Sequence, residues 1–97
     1  MPELAYINGR IMPIEEAVVP IEDRGYQFGD AVYEVIASYG GKMFCIKEHF
    51  ARLDRSMKEL HFPKVQIDEI RRAAIDLFSK AKIERAALYI QVSRGVA

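Results

Sequence analysis

The residues best able to do chemistry crowd into one stretch, Glu22-Asp23-Arg24-Gly25-Tyr26-Gln27-Phe28-Gly29-Asp30-Ala31-Val32-Tyr33-Glu34-Val35. Two glycines, two aromatic rings and four charges precede what reads as a strand, more chemistry than a simple connection requires. The stretch is either a functional loop or a structured turn whose aromatics plug the end of a sheet. Tyr33 is ambiguous by itself, because a strand tyrosine usually fills the core and satisfies its hydroxyl there. A second group, His49, Arg52 and Ser56, is spaced i, i+3 and i+7, a polar strip along one edge of a helix. An arginine on such an edge presents a planar fork of N–H donors suited to phosphate, or it pairs with Glu48 or Glu59 on its own helix. His49 and His61 lie 12 residues apart with no companion cysteine, so no metal site is expected. GxSxG, HExxH, P-loop and GxGxxG patterns do not occur.

Composition bounds the rest. The 97 residues carry 14 Lys+Arg against 14 Asp+Glu, and 51% are hydrophobic. This describes one globular domain that buries roughly two-thirds of its unfolded surface. Zero net charge argues against nucleic acid, since no excess of cations is available to neutralise a run of phosphates. The densest basic stretch, Arg71-Arg72, lies between Glu69 and Asp76 and reads as a solvated helix face. The one cysteine, Cys45, has no internal disulfide partner and is expected as a small apolar residue inside a strand. No apolar run approaches the roughly 20 residues of a membrane span. The start lacks the features of a signal peptide, so a cytoplasmic protein is expected.

The elements that must position these residues follow from periodicity. Leu4 to Met12 reads as a hairpin about Asn8-Gly9, the pair most at ease with positive φ. Glu15 to Pro20 leads into a polar bend at Glu22 to Gly25. Ala31 to Tyr39 alternates, with Tyr33, Val35, Ala37 and Tyr39 on one face and Val32, Glu34, Ile36 and Ser38 on the other. Gly40-Gly41 turns the chain, and Lys42 to Ile46 returns as the partner strand. Ile46, Phe50, Leu53, Met57 and Leu60 then form one helical stripe, stopped by Pro63. Ile67, Ile70, Ala74, Leu77 and Ala81 form a second, on a helix from about Gln66 to Lys82. Ala86 to Ser93 alternates again, with Leu88, Ile90 and Val92 opposite Tyr89, Gln91 and Ser93. The expected class is α+β: a largely antiparallel sheet with two helices packed on it.

The segment Asp23 to Val35 closely resembles the N-terminal signature of the class IV (fold type IV) pyridoxal-phosphate aminotransferases, and most of all their D-amino acid branch. Tyr6-Ile7-Asn8-Gly9, Met43-Phe44, Glu48-His49-Phe50-Ala51-Arg52-Leu53 and Tyr89 to Gly95 fall in that family's order, so the likeness runs the length of the chain. The resemblance implies that residues 1–97 are an incomplete smaller N-terminal domain of a two-domain homodimeric enzyme that exchanges amino groups between D-amino acids and 2-oxo acids. It implies pyridoxal 5'-phosphate as cofactor, its phosphate held by Arg52. Tyr33 matches a tyrosine that contacts the substrate carboxylate, Val35 an apolar neighbour of the substrate, and Tyr89 a pocket-lining tyrosine. Ala31 departs from a common glycine, with little consequence expected. The family's catalytic lysine belongs to a C-terminal domain, and the six lysines here (42, 47, 58, 64, 80 and 82) do not match it. Catalytic residues proper are therefore expected outside this chain. Branched-chain aminotransferases usually carry Phe-Glu-Gly where this chain has Tyr33-Glu34-Val35, and aminodeoxychorismate lyases typically have a phenylalanine-containing strand there. Both are disfavoured. The rival of a different class is a free-standing binding or dimerisation module without chemistry.

Overall fold

The computed structural model describes residues 3–62 and 66–95. Asn8 and Gly9 both take positive φ (48° and 93°), so the first hairpin closes in two residues. It joins β1 (Leu4–Ile7) to β2 (Arg10–Pro13), with Ile7 opposite Arg10 and Leu4 opposite Pro13. The hairpin forms a two-stranded sheet of its own instead of extending the main one. A single 3-10 turn, Ile14–Glu16, follows.

The polar bend holds a short helix, α1 (Arg24–Phe28). The Asp23 carboxylate accepts from the Gly25 N–H at 2.8 Å, and Gly29 at φ 65° ends the helix. Beyond it β3 (Ala31–Tyr39) runs through the middle of a three-stranded antiparallel sheet. One edge is β4 (Lys42–Met43), and the other is β5 (Ala87–Ser93), paired from Ala31 opposite Ser93 to Ala37 opposite Ala87. Gly40 and Gly41, at φ 57° and 78°, make the β3–β4 turn.

The return strand is shorter than expected, and Cys45 is not in it. Cys45 is exposed, with left-handed backbone (φ 54°), and it turns the chain from strand into α2 (Ile46–Glu59). Leu60 lies just past that helix and is exposed, so the stripe ends at Met57. Pro63 lies outside the described residues. α3 (Ile67–Ala81) follows, flanked by Gln66 and Lys82 as its spacing predicts. No helix among the described residues is long and apolar enough to cross a membrane.

Alternation decides which way β3 looks. Val32, Glu34, Ile36 and Ser38 are all buried beneath the helices, while Tyr33, Val35 and Tyr39 stand on the open face. The core joins Val32 and Ile36 to Phe50, Leu53 and Met57 of α2 and Ala74 of α3. Ile36 and Leu53 are fully enclosed, each contributing roughly 1.5–3 kcal/mol on burial. The buried Ser38 hydroxyl is satisfied across the sheet, accepting from the Ala86 N–H at 2.8 Å and donating to the Glu84 carbonyl at 3.2 Å.

The two ends that frame Tyr33 are fastened together. Arg94 donates through Nε to Asp30 at 2.8 Å and through its backbone N–H to the Asp30 carbonyl at 3.2 Å. Its guanidinium also reaches the Leu60 and His61 carbonyls past the end of α2 and lies 4.6 Å from the Phe62 ring centre. Ser93 Oγ donates to Asp23 at 3.0 Å. The approach to β3, the exit of β5 and the end of α2 thus form one joint.

Candidate active site

Glu34 is a carboxylate on the inward face of a strand, between buried Val32 and Ile36, and burial without partners would be costly. Helix α2 supplies them. Arg52 donates through Nε and Nη2 to the two carboxylate oxygens at 2.7 and 2.8 Å, and His49 Nδ1 donates to one of them at 2.7 Å. Glu34 is 5% exposed, yet its pKa falls from 4.5 to about 2. The hydrogen bond from Arg52 is the largest cause; with the His49 bond and both partners' charges it outweighs the desolvation that pushes the other way. Arg52 responds in kind, its pKa raised first by the hydrogen bond to Glu34, then by that carboxylate's charge, with a smaller contribution from nearby Tyr33.

This corrects the pairing expected within the helix. Arg52 bonds neither Glu48 nor Glu59 but the strand carboxylate, because a desolvated anion binds a cation far more strongly than exposed neighbours do. The Arg52 side chain remains 59% exposed, and its Nη1 makes no hydrogen bond among the described residues. One edge of the fork is anchored; the other faces outward. The His49–Arg52 strip converges on Glu34, without Ser56. Glu34 itself escaped the reading of the sequence, although a lone charge between two inward apolar residues, facing a His/Arg strip, was its signal.

The open face carries the remaining candidates. Tyr33 lies opposite Gln91, and Val35 lies opposite Tyr89. Tyr33 and Tyr89 meet on the diagonal, their rings 5.8 Å apart and 17° from parallel. Tyr89 Oη donates to Gln91 Oε1 at 2.8 Å. Tyr33 is 65% exposed, so it is not the core tyrosine its strand position allowed. Nor do Tyr26 and Phe28 plug the sheet, for both stand largely in solvent.

Tyr33, Val35 and Tyr89 therefore share one surface, while Arg52 belongs to the helix side and meets that surface through the adjacent residue Glu34. Two shallow concavities among the described residues lie elsewhere, around Tyr6 and Arg72 and between α2 and α3. The described lysines are all exposed, and Lys64 falls outside the described residues. Both groups are donors for anions, the Tyr33 phenol on the open face of β3 and the outward edge of the Arg52 guanidinium on its helix side.

Residues 31–97 match the family model described as amino-transferase class IV. The D-alanine aminotransferase of Staphylococcus haemolyticus is 41% identical over 93 residues, covering 95% of this chain and 33% of that protein. That of Bacillus licheniformis is 44% identical over 94 residues, covering 93% and 32%. Among solved structures, the branched-chain amino acid aminotransferase of Escherichia coli superposes with a TM-score of 0.86 at 29% identity, over 98% of this chain and 34% of that one. The 4-amino-4-deoxychorismate lyase of Pseudomonas aeruginosa gives a TM-score of 0.71 at 26% identity, over 84% and 29%. The chain spans about a third of the length of these relatives. With the family model matching from the first residue of β3 onward, the chain belongs to the class IV aminotransferases.

Proposed function

We propose that residues 1–97 form the N-terminal domain of a pyridoxal 5'-phosphate-dependent transaminase that moves amino groups between D-amino acids, D-alanine among them, and 2-oxo acids. The reading includes a homodimer in the cytoplasm, with the covalent lysine on a C-terminal domain. The observation that carries it is the pairing of an anchored Arg52, one N–H edge turned outward, with an exposed Tyr33 on the adjoining strand position.

A phosphate fits that free edge: it is cationic, pre-oriented by Glu34 and open to solvent. When bound, the cofactor supplies an electron sink for removal of the amino acid's α-proton. This chain's own residues bind and orient. Arg52 would hold the phosphate through its outward edge, and Glu34, itself held by His49, fixes the guanidinium so that little side-chain freedom is lost on binding. Tyr33 donates its hydroxyl to the substrate carboxylate, Val35 limits the space beside it, and Tyr89 walls the site with its ring. Placing the carboxylate places the α-carbon, which is how a binding residue contributes to rate.

The experiment is a transamination assay with D-alanine, 2-oxoglutarate and pyridoxal 5'-phosphate. A two-domain protein carrying this chain should form pyruvate, and the 97-residue chain alone should form none. Activity confined to L-branched-chain amino acids would replace this reading with the branched-chain one. Pyruvate formed by the 97 residues alone would show that the chemistry lies within them.

A further inference from the structure

The two stacked tyrosines of the open face differ in one respect. The Tyr89 hydroxyl donates to Gln91 Oε1 at 2.8 Å, whereas the Tyr33 hydroxyl makes no hydrogen bond among the described residues. Gln91 is placed to govern both. It is the direct cross-strand partner of Tyr33, and it lies two residues along β5 from Tyr89, on the same face.

We propose that Gln91 is a positioning residue: its carboxamide oxygen holds the Tyr89 ring flat against Tyr33, leaving the Tyr33 hydroxyl as the one free phenolic donor of this stacked pair for a substrate carboxylate. The inference rests on the carboxylate reading of Tyr33 given above. An exposed strand tyrosine has more than one open rotamer, and stacking alone selects a distance better than a direction. The bond to Gln91 fixes the Tyr89 ring from its far end, and the ring in turn limits how Tyr33 can swing. It also occupies the second hydroxyl. Two free phenols side by side would offer a carboxylate two seats and the α-carbon two positions; one free phenol offers one.

The test uses a two-domain enzyme carrying this chain, with steady-state kinetics for D-alanine and NMR of its tyrosine rings. Gln91→Leu keeps the bulk of the side chain and removes the acceptor. It should raise KM for D-alanine about three- to tenfold, the worth of one ordinary hydrogen bond. Cofactor affinity, kcat and Tm should change little, because Tyr89 and Gln91 are both exposed. The ring-current shifts of the Tyr33–Tyr89 stack should collapse toward free values in Gln91→Leu and persist in Gln91→Glu, which retains an acceptor oxygen at the same reach. Tyr33→Phe, run alongside, separates the two claims. If Tyr33→Phe raises KM but Gln91→Leu does not, or if the stacking shifts survive Gln91→Leu, the positioning role is wrong while the Tyr33 reading stands. If Tyr33→Phe leaves KM unchanged, the carboxylate reading fails and the role of Gln91 falls with it.

Discussion

Glu34 on β3 and Arg52 on α2 hold each other through two hydrogen bonds of 2.7 and 2.8 Å, and the anion lies under the helices while the cation keeps one edge in water. The pair fastens α2 to the centre of the sheet and aims an arginine in the same contact.

The acid sensitivity of the fold follows from this pair. The folded-state pKa of Glu34 is depressed from 4.5 to about 2, so its stabilisation is fully present above pH 4.5 and is lost as pH falls toward 2. With screening through the exposed Arg52, the loss amounts to roughly 1–3 kcal/mol. Urea unfolding of the chain between pH 2 and pH 7 should show this slope. Glu34→Gln should be less stable at pH 7 and lose that part of the slope; an unchanged slope would remove Glu34 as its source.

Arg52→Ala should weaken pyridoxal-phosphate binding in a two-domain enzyme more than it slows the chemical step. Loss of a charge-assisted phosphate contact costs roughly 1.5–3 kcal/mol, about ten- to over a hundredfold in Kd. Arg52→Lys should recover only part of this, since an ammonium cannot span both Glu34 oxygens while presenting a third donor in a fixed direction. Spectrophotometric titration of the apoenzyme reads both. A wild-type Kd in Arg52→Ala would leave Arg52 as a structural partner of Glu34 alone.

Gly25 is held to glycine by space. A Cβ there would lie 2.8 Å from Ser93 Cβ and 3.2 Å from Ala31 Cβ, where α1 crosses the joint between β3 and β5. Gly25→Ala should destabilise the chain by about 1–3 kcal/mol. Gly9→Ala, with open space around its Cβ but φ at 93°, should cost only through backbone strain. Denaturant midpoints of the two variants compare crowding with strain directly.

Sequence patterning revealed what repeats or closes locally, and failed where one residue's role depends on a distant partner. Asn8-Gly9 announced its hairpin, and the 4-3-4 spacing of Ile46, Phe50, Leu53 and Met57 announced a buried helix face. Alternation placed Tyr33 and Val35 on one face, but it could not say which face the helices would cover. Helix α1 was hidden because five residues, one of them glycine, give no periodicity; its signals were Asp23 and Gly29, a cap at each end. Cys45 looked like strand because the strand-to-helix turn is made by one left-handed residue of a type that rarely adopts it. The partner of Arg52 could not be read from helix spacing, since Glu34 lies 18 residues away. Arg52, Tyr33, Val35 and Tyr89 were named through the family resemblance, and their roles are proposals.

The most direct measurement is Tyr33→Phe in a two-domain enzyme, with kcat and KM for D-alanine and a bulkier D-amino acid, the cofactor Kd and the Tm. The substitution deletes one hydroxyl and keeps the ring against Tyr89. Loss of a bond to a charged acceptor should lower kcat/KM by about ten- to over a hundredfold, roughly 1.5–3 kcal/mol. Both substrates should suffer alike, since the hydroxyl reads the carboxylate and not the side chain, while cofactor Kd and Tm hold near wild type. Unchanged kcat/KM, or a penalty confined to one side chain, would contradict the assignment of Tyr33 to the carboxylate and with it the proposed site.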